Sequence, residues 1–330
     1  MNNVLVLLKT DEAFRERLGA IFEGRNIVYH EGADLGDLSD GLLSRTEVLI
    51  GNPRPEDLAR FPGLVWMQMQ SNGPDKYLDV LRDRDVLLTN SAGAYGTILS
   101  EHMIGFVFEL YKKLHLYRDQ QNLRLWKHRG MVRSVAGAVV LIVGLGDVGR
   151  AFARRMKALG CYVIGVRRVV KDKPDYVDEL TMTDGLDEAL PRADIVTLCL
   201  PGTSETERLF DARRFALMKE GAILINGGRG SAVDTEALCD ALESGRLYGA
   251  GLDVVDPEPL PPDHRLWGMA NLVLTPHVVN SFTMAETYAA ILEIVLDNAG
   301  RYVMGLTLGN IIDFDAGYRR ANDEQKQEEM

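Results

Sequence analysis

The stretch Val139–Gly149, VVLIVGLGDVG, decides how the rest of the chain is interpreted. Its apolar first half, Val139–Val143, predicts a buried strand. Three glycines follow at the spacing G-x-G-x-x-G: Gly144, Gly146 and Gly149. Such glycines permit a tight turn, a close approach of backbone to a pyrophosphate, and close packing of helix on strand. Because the amides of Asp147 and Val148 would open a helix and attract an anion, the stretch predicts a dinucleotide-binding loop.

The residues that follow complete a strand-helix-strand unit. Arg150–Leu159 predicts a helix, and Cys161–Val166, CYVIGV, predicts a second short strand at the distance expected of a βαβ unit. A glycine motif alone also arises as a structural turn in other α/β proteins. This context favours nucleotide binding over the structural turn.

Composition limits the classes of function. The chain has 330 residues and 46% hydrophobic content, enough for two domains with sizeable cores. Its formal net charge of -11 argues against a nucleic-acid partner, because phosphate binding depends on a basic surface. The opening MNNVLVLL has neither the positive start nor the length of a signal peptide or a membrane span, so we expect a first strand and no membrane partner.

The spacing of the cysteines indicates the redox state of the compartment. The three cysteines are Cys161, Cys199 and Cys239. Their spacing fits neither a metal site nor a disulfide framework. We expect buried thiols in a reducing cytoplasm and no bound metal.

Alternating apolar runs and helix-like stretches on both sides of the motif predict parallel sheets covered by helices, an α/β fold. Residues 97–282 are expected to form a Rossmann-type doubly wound parallel sheet that binds the dinucleotide. This domain is inserted into a second, flavodoxin-like α/β substrate domain comprising residues 1–96 and 283–330. The discontinuity follows from Ser281–Met304, a predicted amphipathic helix that has no sheet partner left in the inserted domain. The charged tail Arg319–Met330 is expected to fray.

A dimerisation region is predicted over about residues 97–135. Thr97–Tyr117 is apolar on almost every face, so as a helix it must be buried in a large core or against a second subunit. Asp119–Ser134 is polar and basic with Trp126 embedded in it, which favours an arm that packs on a partner chain over an ordinary surface loop. We therefore expect a homodimer.

The second strand of the βαβ unit bears on the type of coenzyme. An acidic residue about twenty positions past the glycines normally binds the ribose 2′-hydroxyl, whereas arginine accommodates a 2′-phosphate. Here the strand ends in Arg167 and Arg168, without a carboxylate. Because guanidinium groups offer forked donors to phosphate oxygens, NADP(H) is favoured over NAD(H). The alternative is two solvated arginines at a strand end.

Three polar side chains follow strands of the dinucleotide domain: Arg229 in ILINGGRG, Glu258 in VVDPEP and His277 in LVLTPH. Since the carboxyl ends of parallel strands face one crevice, we expect the three to converge there. Histidine passes a proton near neutral pH, a neighbouring carboxylate fixes its tautomer, and arginine holds a carboxylate by two hydrogen bonds. Together they predict reduction of a 2-keto acid, although singly each is an ordinary turn residue. Among the other histidines only His102, on a predicted helix face, is expected near the crevice.

A turn in the first block is the candidate substrate contact. Gln70–Pro74, QSNGP, follows a predicted strand, where open α/β sheets bind ligands. Asn-Gly-Pro is also simply a good turn, and the residues do not decide between the two.

The chain resembles the D-isomer-specific 2-hydroxyacid dehydrogenase family over nearly all of Asn90–Phe282. The resemblance rests, in this order, on GLGDVG, LPGTSETERLF, LMKEGAILINGGRGSAVD, ALESGRLYGAGLDVVDPEPLPPDHRLW and NLVLTPH. It implies a NAD(P)-dependent 2-keto acid reductase, dimeric through its Rossmann domain, with the catalytic Arg, Glu and His at Arg229, Glu258 and His277.

The resemblance also implies ligand contacts. The coenzyme contacts beyond the glycine loop and the arginine pair are expected at Pro201, Thr206, Gly227, Gly228 and Asp253. Asp253 is expected near the nicotinamide amide, and the backbone of Asn72 and Gly73 is expected to help bind the substrate carboxylate.

Two departures from the family leave the substrate open. The turn usually reads Ser-Ala-Gly-Val-Asp, whereas here it is Ser71–Asp75, SNGPD, and small residues often follow the catalytic histidine where Val278–Phe282, VVNSF, stands here. Phosphite or formate dehydrogenases of the same fold are alternatives, although formate dehydrogenases carry Gln where Glu258 stands. An alternative of another class is a non-enzymatic dinucleotide-sensing corepressor.

Overall fold

The structure is a computed structural model that describes residues 3–169, 172–279 and 284–319. It forms two compact units, the first comprising Met1–Tyr95 and Asn280–Met330 and the second Gly96–Val279. The strands are β1 (Asn3–Val6), β2 (Asn26–Tyr29), β3 (Thr46–Ile50), β4 (Trp66–Gln68), β5 (Leu87–Thr89), β6 (Val139–Val143), β7 (Tyr162–Arg167), β8 (Glu179–Met182), β9 (Ile195–Leu198), β10 (Ile223–Asn226), β11 (Gly249–Leu252), β12 (Leu272–Leu274), β13 (Ile312–Asp313) and β14 (Tyr318–Arg319).

The helices complete the description. They are α1 (Glu12–Ile21), α2 (Asp40–Leu43), α3 (Asp75–Leu81), α4 (Gly96–Lys112), α5 (Leu114–Asn122), α6 (Asp147–Ala158), α7 (Leu186–Ala189), α8 (Ala212–Leu217), α9 (Thr235–Glu243) and α10 (Ala285–Val303). Short 3₁₀ helices lie at Pro55–Arg60, Thr183–Gly185, Leu190–Arg192, Gly230–Ala232 and Arg265–Gly268. In the described part of the chain, no helix has both the length and the apolar character needed to cross a membrane.

The first unit is built on a parallel sheet whose described strands have the order β2-β1-β3-β4-β5. This is the strand order of flavodoxin-like folds. Strand β1 is buried along its whole length, as is expected where helices cover both faces of a parallel sheet. Helix α10 returns to this unit and packs against α1.

A buried polar contact ties the returning segment to the sheet. Asn298 of α10 donates from Nδ2 to Oε1 of Gln68 in β4 at 2.8 Å. The amide of Gly309 donates to Oδ1 of Asn298 at 2.7 Å. Because buried amide groups must find hydrogen-bond partners, these contacts hold the C-terminal segment in one register against the sheet.

The second unit is built on a parallel sheet whose described strands have the order β12-β11-β10-β9-β6-β7-β8. Taken from β6 onwards, this is the Rossmann order with one further strand at its end. The prediction of an α/β fold with a Rossmann-type sheet and a flavodoxin-like partner is confirmed. Strand β8 has no sequence signal, because this edge strand is only half-buried and reads ELTM rather than as an apolar run.

The helix predicted over Thr97–Tyr117 is wrong in its length. The helix is interrupted at Lys113, which has a φ of 58° in the left-handed region. Helix α4 therefore ends at Lys112, and α5 begins at Leu114. Helix α4 packs on α6 and on strands of the same unit, so much of its apolar surface is buried within one chain. Helix α5 extends to Asn122, which shortens the irregular part of the predicted arm.

Two predictions at the C-terminus are also revised. Helix α10 begins at Ala285, and the start predicted at Ser281 lies outside the described residues. Arg319 was predicted to fray, but it lies in β14 and is buried. Its Nη1 donates to Oδ1 of Asn310 at 3.4 Å. The rest of the predicted tail lies outside the described residues.

Candidate active site

The carboxyl ends of six strands in the second unit lie in one row. Strand pairing aligns residues at these ends, in spatial order Leu274, Leu252, Asn226, Leu198, Val143 and Val166, and all but Val166 are the last residue of their strand. Neighbouring strands lie about 4.8 Å apart, so the row spans about 24 Å. Every residue of this unit that was assigned to the site from sequence follows one of these ends or lies at one. The order changes direction at β6, the kind of position where doubly wound sheets bind ligands.

The glycine loop after β6 leaves room for a ligand. Gly144 has a φ of +100°, and a Cβ atom on Gly149 would lie 1.9 Å from the carbonyl oxygen of Gly144. Neither position therefore tolerates a side chain. A Cβ atom on Gly146 would meet nothing within 4 Å, so open space lies beside the backbone there. Helix α6 begins next at Asp147, which points its first amides towards that end of the sheet.

The two arginines after β7 have different environments. Arg167 is 8% exposed and donates from Nη2 to the carbonyl oxygen of Leu145, inside the glycine loop, at 3.2 Å. Its buried Nη1 has no hydrogen-bond partner among the described residues. Arg168 is exposed and lies 3.5 Å from Oε2 of Glu205. The alternative of two solvated arginines therefore does not hold for Arg167, because its side chain folds back under the loop.

These features test whether a dinucleotide fits. Gly146 offers backbone with open space beside it, and the buried Nη1 of Arg167 lacks an acceptor next to the same loop. An anionic ligand satisfies both conditions, since it needs donors and close approach to backbone. Among the described residues, no group of three or more His, Cys, Asp or Glu side chains is arranged to hold a metal ion.

The loop after β9 is held by its own side chain. The Thr206 hydroxyl donates to the carbonyl oxygen of Pro201 at 2.7 Å and accepts from the amide of Thr203 at 3.0 Å. The hydroxyl proton is therefore used inside the loop, and Thr206 shapes the loop rather than offering a donor outward. Cys199 starts this segment, and burial raises the pKa of its thiol to about 12, so the thiol stays protonated.

The loop after β10 carries Gly227, Gly228 and Arg229, and a buried asparagine organises it. Oδ1 of Asn226 accepts from the amide of Gly228 at 3.0 Å, and its Nδ2 donates to the carbonyl oxygen of Arg229 at 2.9 Å. Nη1 of Arg229 donates to the carbonyl oxygen of Gly228 at 2.9 Å. Asn226 was not among the predicted site residues, although a polar residue at the end of a buried apolar strand was the available signal.

The loop that carries Arg229 lies against the one that carries Glu258. A Cβ atom on Gly230 would be 1.9 Å from the carbonyl oxygen of Val255, so the two backbones touch. Oε1 of Glu258 accepts from the amide of Val255 at 3.0 Å, which fixes the carboxylate on its loop.

His277 and Glu258 form a hydrogen-bonded pair. Nδ1 of His277 lies 2.9 Å from Oε2 of Glu258, and both side chains are partly exposed. A carboxylate has no proton to give, so Nδ1 carries the proton and Nε2 points elsewhere. Nε2 has no hydrogen-bond partner among the described residues. His277 also has a φ of 50°, a strained conformation for a residue with a Cβ atom and one that is often found at functional sites.

Asp253 contacts the backbone of His277. It is 2% exposed, its Oδ1 accepts from the Thr275 hydroxyl at 2.6 Å, and its backbone oxygen accepts from the His277 amide at 2.8 Å. The family resemblance implied a coenzyme contact for Asp253, whereas Thr275 had no signal, because a threonine directly after an apolar run is unremarkable in sequence.

The turn that was predicted to contact the substrate lies in the first unit, and three side chains brace it. Nδ2 of Asn90 donates to the carbonyl oxygen of Asn72 at 2.7 Å, and the Tyr95 hydroxyl donates to that of Gln70 at 2.8 Å. Oδ1 of Asn52 accepts from the Gln70 amide at 2.9 Å. Among the described residues, the backbone amides of residues 71–73 donate no hydrogen bond.

The chain is similar to known proteins in both sequence and structure. Residues 104–279 match the family described as D-isomer specific 2-hydroxyacid dehydrogenase, NAD binding domain. A probable 2-ketogluconate reductase of Dictyostelium discoideum is 34% identical over 250 residues, which cover 73% of either chain. The structure resembles that of a D-isomer specific 2-hydroxyacid dehydrogenase family protein from Aeromonas salmonicida, with a TM-score of 0.82, 33% identity, and coverage of 95% of this chain and 99% of the other.

A second solved structure carries a coenzyme. It is the NADPH-dependent glyoxylate/hydroxypyruvate reductase of Sinorhizobium meliloti in complex with NADP and sulfate, with a TM-score of 0.80, 28% identity, and coverage of 96% of this chain and 100% of the other. The resemblance noted from the sequence motifs is thereby confirmed. The chain belongs to the D-isomer specific 2-hydroxyacid dehydrogenase family.

Proposed function

We propose that this oxidoreductase reduces small 2-keto acids to D-2-hydroxy acids with NADPH, and that His277 delivers the proton. The observation that carries the proposal is the pair of His277 and Glu258, joined at 2.9 Å, in the row of strand ends that also carries the glycine loop. A nicotinamide coenzyme, when bound, would supply the hydride that adds to C2 of the substrate.

His277 has the properties of the proton donor. With Nδ1–H held by Glu258, Nε2 is the ring atom left to face the carbonyl oxygen of a substrate. In reduction, Nε2–H gives its proton to that oxygen as the hydride arrives, and the Glu258 carboxylate stabilises the protonated ring beforehand. In the oxidative direction the same nitrogen takes the proton back.

Arg229 and the turn at residues 71–73 are the proposed carboxylate contacts. A guanidinium group can bind a carboxylate through two parallel hydrogen bonds, which also fixes the orientation of the substrate. Consecutive backbone amides form a second concave site for an anion. Arg229 belongs to the second unit and the turn to the first, and each assignment rests on contacts within its own unit.

Initial rates test the function. The purified chain should oxidise NADPH with at least one of glyoxylate, hydroxypyruvate, pyruvate, or a branched or aromatic 2-keto acid. A second set of assays uses formate and phosphite with NADP⁺. Turnover of one of these two, without turnover of any keto acid, would replace the proposal with that alternative. Coenzyme binding without turnover of any substrate would favour a sensor.

The preference for NADPH is proposed from Arg167 and Arg168. The glycine loop places one guanidinium under the backbone and leaves the other exposed at the strand end, where a 2′-phosphate would lie. The coenzyme dependence of the Sinorhizobium meliloti reductase supports this choice.

Arg168→Ala should raise the KM for NADPH by about 10- to 100-fold, the cost of one lost hydrogen bond to a charged group, and should leave the KM for NADH unchanged. Arg154→Ala, which removes an exposed arginine from α6, is the matched control. An equal change for both coenzymes would mean that Arg168 does not distinguish them.

A homodimer is proposed through the predicted arm, Asp119–Ser134, whose part after α5 comprises residues 123–134. Its apolar side chains are exposed in the single chain: Leu123, Leu125, Trp126, Met131 and Val132. Trp126 is fully exposed, and a group of exposed apolar side chains is typical of a surface that another protein covers. We also propose that the protein works in the cytoplasm, since its three cysteines are free thiols.

Trp126→Asp should convert the dimer into a monomer in sedimentation velocity, because a buried carboxylate without a partner opposes association. Leu306→Asp, at an exposed apolar residue elsewhere, should leave the dimer intact. A wild-type monomer at micromolar concentration would overturn the assignment of the arm.

A further inference from the structure

His102 lies outside the three proposed catalytic residues but is connected to them. It is on α4, its ring packs edge-on against Phe106 with centroids 4.6 Å apart, and its Nε2 lies 3.0 Å from Oγ1 of Thr275. The distance from Nε2 to Oδ1 of Asp253 is 3.6 Å, too long for a hydrogen bond. The hydrogen-bonded connection from His102 to Asp253 therefore runs through Thr275.

The direction of these hydrogen bonds follows from counting protons. The Thr275 hydroxyl has one proton, and its oxygen lies 2.6 Å from Oδ1 of Asp253, the length expected when a hydroxyl donates to a carboxylate. The proton is thus committed to Asp253. Nε2 of His102 must then be the donor to Thr275, which fixes a proton on that ring nitrogen.

Asp253 passes the constraint on to the segment that carries His277. Its Oδ1 also accepts from the amide of Val278 at 3.0 Å, and its Oδ2 from that of Val279 at 3.4 Å. Two donors fill Oδ1, whereas Oδ2 keeps room for one more. The orientation of this one carboxylate therefore sets the backbone after His277 and also determines where a donor from a ligand can bind.

We propose that His102 is a positioning residue, which holds Thr275 so that Asp253 keeps the backbone of residues 277–279 in place. The strained φ of His277 depends on this support, because a conformation that is unfavourable by itself persists only where its surroundings enforce it. The consequence for catalysis rests on the proposed function, whereas the consequence for the backbone does not.

The first test uses the protein without coenzyme. Hydrogen exchange by mass spectrometry should show the amides of residues 278 and 279 exchanging about tenfold faster in His102→Phe and in Thr275→Val, as expected for one lost hydrogen bond. His102→Phe keeps a ring against Phe106 and removes the donor. His102→Gln and Thr275→Ser, which keep a donor and a hydroxyl, should retain most of the protection, and exchange in β6 should not change.

The double variant His102→Phe with Thr275→Val should exchange no faster than either single variant, because both act through one chain of hydrogen bonds. Additive effects, unchanged exchange in His102→Phe, or equal losses in His102→Phe and His102→Gln would each overturn the proposal.

Kinetics provide the second readout. Once the wild type is shown to reduce a 2-keto acid, His102→Phe should lower kcat about tenfold while changing the KM for the keto acid less than twofold. An increase in this KM without loss of kcat would overturn the positioning role. If the wild type reduces no keto acid while the exchange pattern is as expected, the proposed function fails and the positioning role stands.

Discussion

His277→Ala should lower kcat for keto acid reduction by about 10³-fold, within the range of 10² to 10⁴ that a positioned acid or base contributes. The variant removes the only proposed proton donor and leaves the glycine loop untouched. The dissociation constant of NADPH, measured by fluorescence titration, should therefore stay within twofold of the wild type.

The control for this variant is His30→Ala. The His30 ring lies 2.6 Å from the carbonyl oxygen of Asp34 in the first unit, and its loss should leave kcat unchanged. Glu258→Gln should lower kcat less than His277→Ala, and the double variant should be no worse than His277→Ala alone, because residues that act as a unit are not additive. A His277→Ala protein with more than a tenth of the wild-type kcat would remove His277 from the reaction.

Gly149→Ala should weaken coenzyme binding strongly. The added Cβ atom would lie 1.9 Å from the carbonyl oxygen of Gly144, a backbone atom that cannot turn away as a flexible side chain can. Helix α6 must then move away from β6, and the loop loses its shape. We expect at least a 100-fold weaker binding of NADPH and a loss of unfolding free energy of about 3 kcal/mol or more.

Gly105→Ala is the matched control. Gly105 lies in α4, is exposed, and has nothing within 4 Å of an added Cβ atom. Alanine at such a helical position should keep coenzyme binding and stabilise the protein slightly, by about 0.5 to 1 kcal/mol. Wild-type NADPH affinity in Gly149→Ala would contradict the description of the loop.

The architecture and the paired groups could be predicted because each has a local signal. The glycine spacing after Val143 and the apolar runs on either side predict the sheet. Parallel strands bring their carboxyl ends to one edge, so Glu258 and His277 could be expected to meet although 18 residues separate them. The strand ends predict that the two side chains converge, whereas their 2.9 Å hydrogen bond depends on how each loop folds.

Other features depend on tertiary contacts that sequence does not display. Lys113 breaks a helix that the apolar pattern continues, and its φ of 58° separates α5 from α4, which packs on the sheet. Arg167 and Arg168 look alike in sequence, yet Arg167 alone donates to the carbonyl oxygen of Leu145, in the loop after the neighbouring strand. The hydrogen bonds from His102 to Thr275 and from Thr275 to Asp253 join residues that are far apart in sequence, so no local sequence pattern predicts them.

The central claim is that this chain transfers hydride from a nicotinamide to C2 of a keto acid. The most direct measurement is product analysis after incubation with NADPH deuterated at C4 and the best keto acid substrate. The account predicts a D-2-hydroxy acid with one deuterium at C2, identified by chiral chromatography and mass spectrometry. A product of L configuration, or one without deuterium after transfer from either face of the coenzyme, would contradict it.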